Sequence, residues 1–152
     1  MDQPSSEQHK SWQRSENGAN VYDLGFQRND EVTVPSRTVL LVEDEWLLRQ
    51  SLYEEMTVAG WRVLEAASGE RALEILAGGE TVDLLVTDIR LDGGITGWEV
   101  AEACRTANAR LPVVYVSGNS PDDSRRVEGS VFLSKPCMIE RLLAACHMFF
   151  IA

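Results

Sequence analysis

Three acidic side chains stand where two short apolar runs end. Glu43 and Asp44 follow the run at 39–42, and Asp88 follows the run at 84–86 after one threonine. If the three carboxylates meet, their like charges oppose joint ionisation and call for a cation among them. Oxygen ligands without soft donors suit Mg²⁺, which takes one or two carboxylates with waters and a phosphate oxygen. We therefore predict a Mg²⁺ site formed by these three residues.

A carboxylate can also act as a nucleophile toward phosphorus, which gives an aspartyl phosphate. The charged oxygens of a bound phosphoryl group then need hydrogen-bond donors in addition to the metal. Two further apolar runs end in such donors, Ser117 and Lys135, and Lys135 is the only lysine after residue 10. These residue types together favour phosphoryl transfer onto a side chain.

Each of these residues also has an ordinary structural interpretation. Asp44 is a candidate cap for the helix that follows it, Asp88 a candidate loop aspartate, and Ser117 a candidate turn residue. Lys135 is a candidate surface charge, and Phe132 a candidate core residue. Taken jointly, these interpretations require four unrelated coincidences, each at the carboxyl end of an apolar run.

The elements that must position these residues alternate along the chain. Short, branched apolar runs indicate five buried parallel strands, at 39–42, 62–66, 84–86, 113–116 and 131–133. Amphipathic segments between and after them predict helices at 46–59, 68–78, 98–109 and 138–151. Strict alternation implies a parallel sheet covered on both faces, and such sheets bind ligands at the carboxyl ends of their strands.

The connection at 118–129 differs from the others. It holds a single apolar residue, Val127, so a helix there has almost nothing to bury. We expect a short helix or a mobile loop in this connection.

Composition limits the remaining classes. Residues 1–36 are polar without a sustained period and predict a flexible extension before a domain at 37–152. A formal net charge of −10 argues against nucleic-acid binding. The chain lacks a run of roughly 20 apolar residues and a signal peptide, which predicts a cytoplasmic protein without membrane contact. Three cysteines without a CxxC pair favour reduced thiols, and a redox role stays open.

Four blocks then stand in order: VLLVEDE at 39–45, LLVTDIRL at 84–91, VVYVSG at 113–118 and FLSKP at 132–136. Together they resemble the receiver domains of two-component response regulators, over residues 37–152. The resemblance implies an α/β, flavodoxin-like, doubly wound sheet of five parallel strands in the order 2-1-3-4-5. Helices are expected on both faces, and the fourth of them, in the connection at 118–129, is expected to be short or irregular.

The resemblance also implies roles at the predicted cation site. Asp88 is the aspartate phosphorylated by a histidine kinase or a histidine phosphotransfer protein. Asp44 binds Mg²⁺ directly, Glu43 binds it largely through water, and Arg90 contributes its backbone carbonyl.

Further roles follow for the second half of the domain. Ser117 matches the switch hydroxyl, Lys135 its charge partner and Phe132 the aromatic residue that rotates with the switch. The peptide bond before Pro136 is expected to be cis.

Two positions after the switch hydroxyl concern access to the site. Gly118 is expected to leave the site open to water or a partner, and Asn119 occupies a position that tunes the lifetime of the phosphoryl group.

The predicted function is that of a stand-alone response regulator, which signals by a phosphorylation-dependent change of its surface. It is not an enzyme, apart from its own Mg²⁺-dependent phosphorylation and dephosphorylation. Two alternatives stay open, a protein-binding module used without phosphorylation and the receiver of a hybrid histidine kinase. The downstream protein target stays unknown, and a homodimer stays open.

Overall fold

The structure is a computed structural model that describes residues 36–118 and 123–151. The predicted extension at 1–36 therefore lies, except for its last residue, outside the described residues, and so does Asn119. The strands are β1 (Thr38–Val42), β2 (Arg62–Ala66), β3 (Leu84–Thr87), β4 (Val113–Ser117) and β5 (Val131–Ser134). The α-helices are α1 (Trp46–Val58), α2 (Gly69–Ala77), α3 (Gly97–Ala107) and α4 (Ile139–Met148).

The five strands form one sheet in the order β2-β1-β3-β4-β5, and every pairing is parallel. This confirms the predicted flavodoxin-like, doubly wound arrangement. The register aligns the carboxyl ends of the central strands, because Val42 at the end of β1 lies opposite Thr87 at the end of β3. Ser117 and Ser134 lie opposite each other at the ends of β4 and β5. The residues that follow these positions must therefore leave the sheet at one edge.

The sheet is buried on both faces, which explains why its central strands are apolar without alternation. Every residue of β1, β3 and β4 is buried. One core cluster joins Leu40, Leu85 and Tyr115 to residues of α2 and α3, and the other joins Leu41, Val86 and Val114 to residues of α1 and α4. The side chains of successive residues in a strand thus pack against the helices on opposite faces of the sheet.

Local signals explain where two of the helices begin. Ser68 is the N-cap of α2, and its hydroxyl oxygen accepts a hydrogen bond from the Arg71 amide at 3.1 Å. Thr96 and Glu99 form a reciprocal capping box at the start of α3. These caps fix the first turns of the two helices that cover the same face of the sheet.

The connection between β4 and β5 has a single apolar residue, Val127, in its described part. It contains a 3₁₀ turn at Asp123–Arg125, in agreement with the short helix or loop predicted there. Val127 is half-buried against the core, and its amide donates to the Tyr115 hydroxyl at 3.3 Å. A single apolar side chain therefore attaches this connection to the core, as its composition indicated.

The cysteines and helices bear on two further expectations. Cys104, Cys137 and Cys146 are all free thiols, in agreement with the preference for reduced cysteines. Within residues 36–118 and 123–151, no helix has the length and apolar character that crossing a membrane requires.

Candidate functional site

Asp88 leaves the sheet directly after β3 and is 8% exposed. Its amide donates to the Val42 carbonyl at 3.0 Å, which continues the pairing of β3 with β1 by one residue. Its carboxylate accepts from the Ile89 amide through Oδ1 at 2.6 Å and from the Lys135 ammonium through Oδ2 at 2.7 Å. Two donors therefore fix the orientation of this carboxylate.

Lys135 joins the two central strands at this edge. Its Nζ donates to Glu43 Oε2 at 2.9 Å as well as to Asp88 Oδ2. The backbone holds Lys135 in place, because its amide donates to the Ser117 carbonyl at 2.9 Å and so extends the pairing of β5 with β4. The ammonium thus reaches the two carboxylates from the end of β5, and the Lys135 side chain is 21% exposed.

Glu43, Asp44 and Asp88 form the acidic cluster of the site. One carboxylate oxygen from each residue lies within 4.8 Å of the others, a spacing that can hold a metal ion. The donor set consists of hard oxygens only, which fits Mg²⁺ better than softer metals. With three carboxylates against one lysine, a cation would also relieve repulsion that Lys135 alone leaves uncompensated.

Asp44 has a specific partner that the ordinary interpretation does not give it. Its Oδ2 accepts a hydrogen bond at 2.9 Å from the Asp92 amide, in the loop after β3. The N-cap of α1 is Glu45, which makes no capping hydrogen bond through its side chain. The interpretation of Asp44 as a helix cap is therefore wrong.

Burial and ion pairing act against each other on two groups of the site. Burial raises the pKa of the Glu43 carboxyl above its usual range, although the hydrogen bond from Lys135 opposes that rise. For Lys135, burial alone would lower the pKa, but its hydrogen bonds to Asp88 and Glu43 outweigh burial and raise it. The ammonium is therefore charged at neutral pH, as a partner for anionic oxygens must be.

Ser117 and Phe132 lie on the two strands that follow β3 in the sheet, β4 and β5. Ser117 is the last residue of β4 and is 3% exposed. Phe132 lies on β5 opposite Tyr115 and packs, half-buried, against the core on the α2 and α3 face. Both residues thus stand on the strands that carry Lys135 and the connection at 118–129.

The remaining predicted residues lie around the rim. Gly118 is exposed, and a Cβ atom built on it would meet no atom of the described residues within 4 Å. Arg90 has an exposed side chain two residues after Asp88. The peptide bond between Lys135 and Pro136 is cis.

The structure adds two site neighbours that sequence reasoning missed. Arg49 donates to the Glu43 carbonyl at 2.8 Å and forms an ion pair with Glu65 at 3.5 Å. Its position one turn into α1 gives a weak signal for this role. The role of the Asp92 amide has no signal in the sequence, because every residue type except proline supplies a backbone donor.

A cavity of about 380 Å³ opens beside the acidic cluster. Its lining combines Lys135 with apolar side chains of α1 and α4, among them Leu48, Leu52 and Leu142. Trp46 and Leu47 on α1 and Met138 before α4 are exposed apolar residues. The acidic site is therefore bordered by apolar surface.

Comparison with known proteins agrees with this geometry. The family model for the response regulator receiver domain matches residues 39–147. The sensor kinase CckA of Brucella abortus is 35% identical over 113 residues, which cover 70% of this chain and 12% of the kinase. A cyclic di-GMP phosphodiesterase of Thermotoga maritima is 32% identical over 111 residues, which cover 69% of this chain and 28% of that protein. The chain thus spans less than a third of the length of these two relatives.

A solved structure gives the same result in three dimensions. The response regulator receiver protein from Sinorhizobium medicae WSM419 superposes with a TM-score of 0.73 at 34% identity, over 77% of this chain and 96% of that one. The family match, the strand order and the strand-end site thus agree, and the chain belongs to the response regulator receiver domain family of two-component phosphorelay systems.

Proposed function

We propose that this receiver domain accepts a phosphoryl group on Asp88, in a Mg²⁺-dependent reaction with a histidine kinase or a histidine phosphotransfer protein in the cytoplasm. The observation that carries the proposal is the position of the Lys135 ammonium, which donates to Asp88 and Glu43 within an acidic cluster. A fixed cation beside a buried carboxylate, with room for a second cation, suits a reaction in which negative charge builds up at one point.

The chemistry assigned to the residues is a single transfer. The Asp88 carboxylate attacks the phosphorus of a phosphohistidine, an O–P bond forms, the N–P bond breaks, and the imidazole leaves as the departing base. Bound Mg²⁺, held by Glu43, Asp44 and Asp88, would neutralise charge on the phosphoryl oxygens. The backbone carbonyl of Arg90 is proposed as one further oxygen ligand.

Lys135 and Ser117 are the proposed protein donors to the transferred group. Phosphorylation adds nearly two negative charges beside Lys135, which would then donate to a phosphoryl oxygen as well as to carboxylates. Ser117 stands at the end of the neighbouring strand with its side chain buried, so a shift of its hydroxyl toward that oxygen would disturb the packing around β4. Phe132 on β5, opposite Tyr115 on β4, is the proposed aromatic residue that moves together with Ser117.

The surroundings of the site support a protein as phosphodonor. The apolar residues Trp46 and Leu47 at the start of α1 and Met138 just before α4 are more than half exposed. Among the described residues, no atom lies within 4 Å of a Cβ atom built on Gly118, which supports access for an incoming side chain. A small donor such as acetyl phosphate would need none of this apolar surface.

A second candidate is that the domain serves as the receiver of a hybrid histidine kinase. The similarity to the sensor kinase CckA favours it, because the matched part is a small share of that kinase. Both candidates require phosphorylation of Asp88, and they differ in the phosphodonor. Transfer rates from a panel of phosphorylated histidine kinases and phosphotransfer proteins would distinguish them, since the cognate donor reacts fastest.

The experiment that tests the shared step is incubation with acetyl phosphate and Mg²⁺, followed by separation of the phosphorylated form on a phosphate-affinity gel. We expect a shifted band that EDTA abolishes, that Asp88→Asn lacks and that the surface control Glu74→Gln retains. A shifted band of equal intensity in Asp88→Asn would contradict the proposal. A domain used purely as a binding module would show no shift at all.

A further inference from the structure

The loop between β3 and α3 returns to its starting point. The Gly97 amide donates to the Ile89 carbonyl at 2.8 Å, and a Cβ atom on Gly97 would lie 1.9 Å from the Asp88 carbonyl oxygen. Both ends of the loop are therefore fixed next to the phosphoacceptor. The tip at 92–94 projects from this closed base and needs other contacts to hold its position.

The loop tip has a different contact on each side. On one side, the Asp92 amide donates to Asp44 Oδ2 at 2.9 Å. On the other side, the Gly94 amide donates to Glu70 Oε1 at 2.8 Å. The tip thus links a carboxylate of the acidic cluster to a carboxylate of α2 that lies outside the cluster.

The Glu70 carboxylate fits closely against the tip. Gly93 has φ of +100°, and a Cβ atom built there would lie 2.8 and 2.9 Å from the two Glu70 oxygens. The first turn of α2 also lies very close to the loop, because a Cβ atom on Gly69 would lie 2.5 Å from the Ile95 side chain. Glycines at these two positions therefore permit α2 and the loop to come this close.

Glu70 also has an ordinary explanation, since acidic residues are common in the first turn of a helix. Hydrogen bonds from its own amide and from the Gly94 amide lower the pKa of its carboxyl, so it is ionised at neutral pH. The helix dipole explains the charge but not the contact with Gly93 and Gly94. One helical turn further on, the Glu74 carboxylate forms an ion pair with Arg71 at 2.9 Å on the surface.

We propose that Glu70 is a positioning residue for the cation site, which acts by holding the loop tip so that the Asp92 amide orients Asp44. The inference rests on the proposed function, because it assigns a role in Mg²⁺ binding. Loss of the contact would leave the tip free, and Asp44 would then have to be ordered when the ion binds. Residues that orient metal ligands typically change metal affinity by about 10- to 100-fold when removed. Because Glu70 is exposed, we expect the loss of its contact to weaken Mg²⁺ binding by about 10-fold or less.

The test is the Mg²⁺ dissociation constant of Glu70→Asp, Glu70→Gln and Glu74→Ala, measured by isothermal titration calorimetry on the full chain. Glu70→Asp keeps the charge at the helix terminus but is one methylene too short to reach Gly94. We expect it to weaken Mg²⁺ binding about 3- to 10-fold. Glu70→Gln keeps an acceptor oxygen at the same reach and should stay within about twofold of the wild type, as should Glu74→Ala.

Amide hydrogen exchange provides a readout that does not depend on the metal. In Glu70→Asp, the amides of Asp92 and Gly94 should exchange faster, while those of β3 should not change. Unchanged Mg²⁺ affinity in Glu70→Asp would overturn the inference and leave the proposed function intact. A wild-type protein that binds no Mg²⁺ would overturn both.

Discussion

Lys135 donates a hydrogen bond to Asp88 at 2.7 Å although 47 positions separate the two residues in the sequence. The contact spans the sheet from β5 to β3, with β4 between them. It places the only lysine of the described chain between two carboxylates that come from the ends of the two central strands. The stability of the domain and its affinity for a cation must therefore depend on one another.

Replacement of Lys135 tests this dependence. In Lys135→Met the apolar stem is retained, but Glu43 and Asp88 lose their shared cation, so the metal-free protein should be destabilised by about 1–3 kcal/mol. Saturating Mg²⁺ should then raise the melting temperature of the variant more than that of the wild type, because the ion replaces a missing charge. Differential scanning calorimetry with and without Mg²⁺ measures both effects.

Arg125→Ala is the matched control, because it removes a cation whose ion pair with Glu102 lies on the surface. Its stability should change by less than about 1 kcal/mol, and its response to Mg²⁺ should equal that of the wild type. An equal Mg²⁺ response in Lys135→Met would show that the lysine and the ion do not share the site.

Gly97 should tolerate no side chain. A methyl group there would lie 1.9 Å from the carbonyl oxygen of Asp88, and backbone atoms cannot move aside cheaply. We expect Gly97→Ala to lose more than about 3 kcal/mol of unfolding free energy, measured by urea denaturation. Gly78→Ala is the control, since that residue has ordinary helical φ and only van der Waals neighbours. Similar stabilities for the two variants would contradict the close approach.

The three cysteines should differ in reactivity. Burial raises the pKa of the Cys104 and Cys146 thiols to about 12, so both stay protonated and inert at pH 8. Cys137 is only half-buried, and we expect it to react first with Ellman's reagent. One fast thiol in the native protein and three in denaturant is the expected count, and Cys137→Ser should abolish the fast phase.

The same two thiols predict how stability changes in alkali. Their folded-state pKa lies above the ordinary value of 9.0, so above that pH the unfolded chain releases protons that the folded chain retains. Their contribution is complete below pH 9 and is lost as the pH rises toward 12, by at most about 1.4 kcal/mol per pH unit for each thiol. Urea denaturation at pH 8 and pH 10 measures this loss, and a rise in stability would contradict it.

Much of the fold could be predicted, because each strand is a short apolar run and every connection between strands except 118–129 carries a helix signal. The alternation alone required a parallel sheet, and a parallel sheet brings the ends of its strands to one edge. The sequence alone therefore groups Glu43, Asp88 and Lys135 at one edge of the sheet. The strand order came from the family resemblance, which the sheet topology then confirmed.

The contacts that support the site could not be predicted in the same way. Asp44 is held by the amide of Asp92, and Glu70 by that of Gly94, so backbone geometry and not residue type decides both contacts. Asp44 also showed how a local signal misleads, since an acidic residue just before a helix is an ordinary cap candidate. A long-range hydrogen bond overrode that preference.

The most direct test of the central claim is to locate the phosphoryl group. After reaction with acetyl phosphate and Mg²⁺, borohydride reduction converts an aspartyl phosphate to homoserine, and peptide mass spectrometry identifies the position. We predict homoserine at position 88, absent when EDTA is present and absent when hydroxylamine treatment precedes reduction. Homoserine at another aspartate, or a phosphoryl group that resists hydroxylamine, would contradict the assignment of Asp88 as the phosphoacceptor.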